Sequence, residues 1–229
     1  MSLLLSWAVC AVFATFLVYG QTAKTPVPSL QPAAASKPAP TPSIGVFMDF
    51  DNAPGSAPLA VMKTEVQKLL KPSGLSLDWH MLGENRGRQP FSGLVVLKFK
   101  GKCRVEGWSL GPIEYGQEIG DETTLGFTDV VNGHVVPFSE VECDRIRDAL
   151  AYLNPGAGRK ERQKAFGVAL ARVVAHELYH VLAHTTTHAG TGLAKASETL
   201  QDLVTKPQMS FDPGASRAMS KGFTALSGQ

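Results

Sequence analysis

Apolar positions in this chain follow two rhythms, and the change from one to the other marks out its elements. Over residues 166–183, Phe166, Leu170, Val173, Val174, Leu178, Val181 and Leu182 recur mostly three or four apart, the spacing of a helical face. No Gly or Pro interrupts that run after Gly167, so a helix is predicted there. Leu59, Met62, Val66, Leu69 and Leu70 repeat the spacing over residues 57–70, with Pro72 and Gly74 to stop it. Residues 139–153 carry Ile146, Ala149, Leu150 and Leu153 and run into Asn154-Pro155-Gly156, which predicts a third helix. Polar residues 158–164 read as the connection to helix 166–183.

Shorter apolar runs at residues 44–51, 75–82 and 93–100 read as strands, with a polar link at 85–89. Residues 125–131 and 134–138 flank Asn132-Gly133, a dipeptide suited to a tight primed turn, and predict a hairpin. Residues 194–204 fit a helix with Leu200, Leu203 and Val204 on one side, and residues 206–229, with Pro207, Pro213 and several Gly and Ser, read as a loosely packed tail. Together these elements predict one α+β domain over residues 44–205.

What precedes residue 44 has a different character. Residues 2–18 are uncharged and largely apolar and end near small Gly20, which fits an export signal at residues 1–20. The same run is near the lower length limit for spanning a bilayer, so an uncleaved anchor through residues 3–19 is the alternative. Residues 21–43 are rich in Pro, Ala, Ser and Thr; repeated proline removes backbone donors and favours an extended spacer. Export places the folded part in a secreted or periplasmic setting. There Cys103 and Cys143, the two cysteines outside the apolar run that holds Cys10, are expected to pair across about forty residues. A net charge of +2 and a pI near 8.4 give no basis for nucleic-acid binding.

The candidate chemistry is concentrated in helix 166–183. His176-Glu177-Leu178-Tyr179-His180 is an HExxH pattern, and four of the six histidines lie between His176 and His188. Residues four apart share a helical face, so His176 and His180 can present two imidazoles to one ion, with Glu177 beside them as general base. A third ligand is needed. His184 lies ~12 Å along the axis from His176 at 1.5 Å per residue, too far for one tetrahedral ion to gather both. His188 is better placed, because β-branched Thr185-Thr186-Thr187 followed by Gly190 and Gly192 can end the helix and return the chain. Glu198 and Asp202 remain candidates on a following helix. Asp49 and Asp51, beside Asn52, Pro54 and Gly55, suit turn or capping roles; His80 and His134, alone in strand or turn contexts, are expected outside the site.

On these residues the stretch resembles the zincin metallopeptidases, which carry HExxH on a helix. More narrowly it is similar to small secreted bacterial zincin-like proteins, with seven residues between His180 and His188 and then a Gly-hydrophobic pair, here Gly192-Leu193. It departs from the metzincin pattern, with Ala183 and Thr186 where that group has Gly and His, and with Ala194 where the narrower relatives often have Met. Met209 or Met219 would have to replace that Met. The resemblance implies a zincin-like α+β fold, with a mixed sheet packed on the active-site helix. It also implies Zn2+ held by His176, His180 and His188, hydrolysis of peptide or protein substrates, and an edge strand that receives substrate backbone. Tyr179 or His184 is the expected oxyanion donor, and Asp202 or Asp212 the expected partner of a ligand imidazole. The alternative reading is an exported zinc-binding module of the same fold without hydrolysis.

Overall fold

The strand predicted at residues 44–51 is β1 (Ser43–Asn52). Its Ile44, Val46 and Met48 are buried to within 1% of completely, because alternate side chains of a strand share one face. β1 pairs in parallel with β2 (Ser76–Met81) on one side and with β3 (Gly93–Lys102) on the other. Parallel neighbours need a crossover, and α1 (Ser56–Leu70), followed by a 3-10 turn at Lys71–Ser73, supplies it between β1 and β2. β5 (His134–Glu142) adds in parallel to β3, and β4 (Gly126–Val131) forms the far edge, antiparallel to β5. The result is a mixed five-stranded sheet of order β2-β1-β3-β5-β4. This computed structural model describes residues 43–84, 91–105, 124–153, 156–196, 202–203 and 206–227. The export segment, the linker as far as residue 42, Cys10 and most of the helix expected at 194–204 lie outside those residues.

The β4–β5 hairpin turns at Asn132 and Gly133, with φ of 52° and 79°, the two left-handed residues that a type I′ turn requires. Residues 139–142, expected to open a helix, instead continue β5. Ser139 and Val141 are buried and pair with Leu97 and Phe99, so sheet pairing takes these residues and α2 starts at Cys143 (Cys143–Leu153). The Cys103–Cys143 disulfide forms as expected, joining the end of β3 to the start of α2 with Cα atoms 4.9 Å apart. Asp51 accepts the Gly101 N–H at 3.0 Å and latches β1 to β3, while Asp49 sits within β1 opposite Lys98. Both are structural.

Helices cover one face of the sheet, and α3 (Arg159–Ala183) is the element they share. It begins at Arg159 rather than Phe166: the Glu161 carboxylate accepts the Gly158 N–H at 2.8 Å, one half of a capping box. The polar stretch read as a connection is therefore the exposed start of the helix. From Phe166 to Leu182 α3 is buried on most sides. Its length and composition would suit a membrane span, but 83% of its apolar window is packed inside the protein, as in a core helix.

The expected loose tail is also ordered. Residues 213–227 form α4 (Pro213–Ser227), with Met219 and Phe223 in the core at 0% and 2% exposure. Asp212 starts this helix, its Oδ1 accepting the N–H groups of Gly214 and Ala215 at 2.7 and 2.9 Å.

Candidate metal centre

The last turns of α3 carry His176, Glu177 and His180, and the helix then stops abruptly. His184 adopts a left-handed conformation (φ 50°, ψ 46°), and its N–H reaches back to the carbonyls of His180 and Val181. The Thr185 N–H donates to the His180 carbonyl at 3.1 Å, and the chain folds back over the helix end. This return brings His188 to the other two histidines. The ring centroids lie 4.9 Å (His176–His180), 5.2 Å (His176–His188) and 4.7 Å (His180–His188) apart. One nitrogen from each ring falls within 4.8 Å of the others, so the three could hold a metal ion.

The hydrogen bonds of the first two rings fix which nitrogens face one another. Nδ1 of His176 lies 2.8 Å from the Leu193 carbonyl, and Nδ1 of His180 lies 2.8 Å from the Thr185 carbonyl. A carbonyl only accepts, so each Nδ1 carries the proton and each Nε2 presents a lone pair. The two Nε2 atoms stand 3.2 Å apart. Two lone pairs at that distance repel unless a proton or cation lies between them. Two nitrogens bonded at ~2.05 Å to one tetrahedral ion stand about 3.3 Å apart, so the separation fits a shared ion. Burial holds the imidazole pKa of His176 down at about 4, against a smaller upward pull from the Leu193 carbonyl, and the two neighbouring imidazoles lower it further. Burial also lowers His180. Both rings are therefore neutral, as ligands must be, at neutral pH.

The returning loop is fastened from two sides. Tyr179, 6% exposed, donates its hydroxyl to the Thr187 carbonyl at 3.0 Å, next to His188. On the other side the Ala189 N–H donates to Ala194 at 2.7 Å and the Leu193 N–H to Ser210 at 3.0 Å. Gly192 makes that second contact possible. Its φ is +72°, and a Cβ would come within 2.7 Å of the Ser210 carbonyl oxygen, so any side chain there would push away the segment that places the Leu193 carbonyl.

Glu177 lies beside the histidines in a cleft of about 520 Å³ between α3 and the edge strand β4. It is 4% exposed, and burial raises its carboxyl pKa to about 7, against the opposing effect of a Thr128 hydrogen bond. Gly126 on β4 leaves the room it needs: a Cβ there would lie 2.9 Å from Glu177 Oε1. One wall of the cleft includes Val130 and Val135 of the hairpin, which gives it apolar character.

Several expected roles fall elsewhere. His184 is exposed and ends the helix outside the histidine group. Tyr179 spends its hydroxyl on Thr187, so neither is placed as an oxyanion donor. The partners of the His176 and His180 imidazoles are carbonyls, not Asp202 or Asp212: Asp202 pairs with Lys206 at 3.2 Å and Asp212 caps α4. Neither Met209 nor Met219 lines the cleft. Glu198, the alternative third ligand, lies outside the described residues. His80 is buried in β2, stacked on Phe47 with Nε2 3.2 Å from Asp78, and His134 is exposed at the start of β5; both lie apart from the group. Sequence reading missed Thr128 and the two carbonyls that orient the rings. Comparison with protein-family models, curated proteins and solved structures gave no match.

Proposed function

We propose that this chain is an exported zinc peptidase of zincin type, with His176, His180 and His188 as ligands and Glu177 as general base. The observation that carries the reading is the pair of Nε2 lone pairs 3.2 Å apart, with a carboxylate next to them in a cleft. Three imidazoles suit zinc, and among the described residues no fourth ligand joins them, the arrangement of catalytic rather than structural sites. A zinc ion there would supply Lewis-acid activation of water and of a carbonyl oxygen. Glu177 takes the proton from the attacking water and returns it to the leaving amine. β4 lies along the cleft as the edge strand among the described residues, and an extended peptide would add to it by backbone hydrogen bonds, with apolar side chains against Val130 and Val135.

The near-complete burial of Glu177 favours a second reading, a zinc-binding module that does not hydrolyse. One experiment separates the two. The purified folded region is loaded with zinc, assayed for metal content, and tested on fluorescently labelled casein beside Glu177→Gln. About one zinc per chain with casein cleavage, lost 10²–10⁴-fold in Glu177→Gln while zinc is retained, is the expected result for the peptidase. Zinc without cleavage in the native chain selects the module. Absence of bound zinc after loading defeats both.

A further inference from the structure

Glu177 is held by the sheet rather than by its own helix. Thr128 Oγ1 lies 2.7 Å from Glu177 Oε2 and 2.9 Å from Ser139 Oγ. The Thr128 hydroxyl donates to Oε2, the nearer of its two acceptors on Glu177, with the main-chain carbonyl at 3.3 Å, and its lone pair accepts the Ser139 hydroxyl proton. Ser139 is 1% exposed, which anchors this two-hydroxyl chain in the interior of β5. Among the described residues Oε1 has no hydrogen-bond partner, and it lies over Gly126, where the missing side chain leaves space. The two carboxylate oxygens are thereby made unequal: one is tethered and one is open.

We infer that Thr128 is a positioning residue, whose hydroxyl fixes Glu177 Oε2 and reserves Oε1 as the proton-accepting oxygen. The inference rests on the reading of Glu177 as the base, and it adds a link that the HExxH pattern does not contain. Thr128 stands on the edge strand on which a substrate would pair, so one strand would set both the substrate backbone and the base. A carboxylate released from the tether would rotate about its side-chain bonds, and general-base catalysis depends on its distance from the proton it takes.

The test uses Thr128→Val, which removes the donor at nearly constant shape, and Thr128→Ser, which restores it. In zinc-loaded crystals, Glu177 is expected in a single position in the native protein and Thr128→Ser, and displaced or split in Thr128→Val. On labelled casein, Thr128→Val is expected to lower kcat ten- to hundredfold with KM and zinc affinity within twofold of native, and Thr128→Ser to recover most of the loss. A native Glu177 position in Thr128→Val, or an unchanged kcat, overturns the inference; so does a loss that Thr128→Ser does not rescue. Thr128→Ala replaces the Val variant if that fails to fold. If the native chain cleaves no casein, the peptidase reading loses its support, while the Glu177 position still decides the role of Thr128.

Discussion

His188 and His184 are both exposed and four residues apart, yet the structure gives them opposite fates. The left-handed turn at His184 sends its own side chain away from the group and carries His188 into it. His188→Ala is therefore expected to weaken zinc binding more than about a hundredfold, beyond the effect typical of losing an outer-sphere partner, and His184→Ala to leave it within a few-fold. Competition with a chromophoric chelator measures both; equal losses would remove His188 from the site. In the metal-free protein the same residues set a pH dependence. His176 and His180 titrate lower in the fold than the ordinary imidazole value near 6.5, so their contribution to stability is present above that pH and is lost as pH falls toward about 4 for His176. Glu177 is raised to about 7, so its contribution is present below about 4.5 and is lost as pH rises through 7. One histidine and the glutamate largely offset each other between these limits, and the second histidine tips the balance. Metal-free protein is expected to melt at a higher temperature at pH 6.5 than at pH 4.5. A melting temperature that falls steadily over that interval would show that the buried carboxylate dominates.

The loop between α3 and residue 195 is the element on which the site depends, and Tyr179 holds it. Tyr179→Phe removes one hydrogen bond to Thr187 at a cost of about 1 kcal/mol, and it is expected to weaken zinc affinity by up to about fivefold by loosening His188. Calorimetric zinc titration checks this; unchanged affinity would mean that the Gly192–Ser210 contact suffices alone. How much of this could be read in the chain depended on the range of the interaction. HExxH, the return through Thr185–Thr187 to His188, and the Asn132-Gly133 turn are local patterns, and each is legible in a few residues. The β5–α2 boundary was not, because Ser139 and Val141 are claimed by pairing with β3, a long-range preference that overrides helical spacing. The Thr128–Glu177 contact spans 49 residues and leaves no periodic trace. α4 is a different case. Asp212 before Pro213 is a cap followed by a first-turn proline, a local signal that was present but masked by the Gly and Ser around it.

At the scale of the whole molecule, the disulfide is a covalent cross-link between the end of β3 and the start of α2 among the described residues, from Cys103 to Cys143. A Cys103→Ser/Cys143→Ser double variant is expected to lose ~3–4 kcal/mol of unfolding free energy by restoring freedom to a loop of this length. Denaturant unfolding measures the loss, and a change below about 1 kcal/mol would indicate that native packing already restrains these ends. The three imidazoles, by contrast, belong to thirteen consecutive residues, from His176 to His188, and those of His176 and His180 are oriented by carbonyls no farther along the chain than Leu193. The carboxylate takes its orientation from two strands far away in sequence. On the proposed reading, capture of metal and placement of the base thus rest on different stretches of the chain. Loss of the Thr128 and Ser139 hydroxyls would, on that reading, free the carboxylate while leaving the three histidines in place, so metal content alone would not report activity.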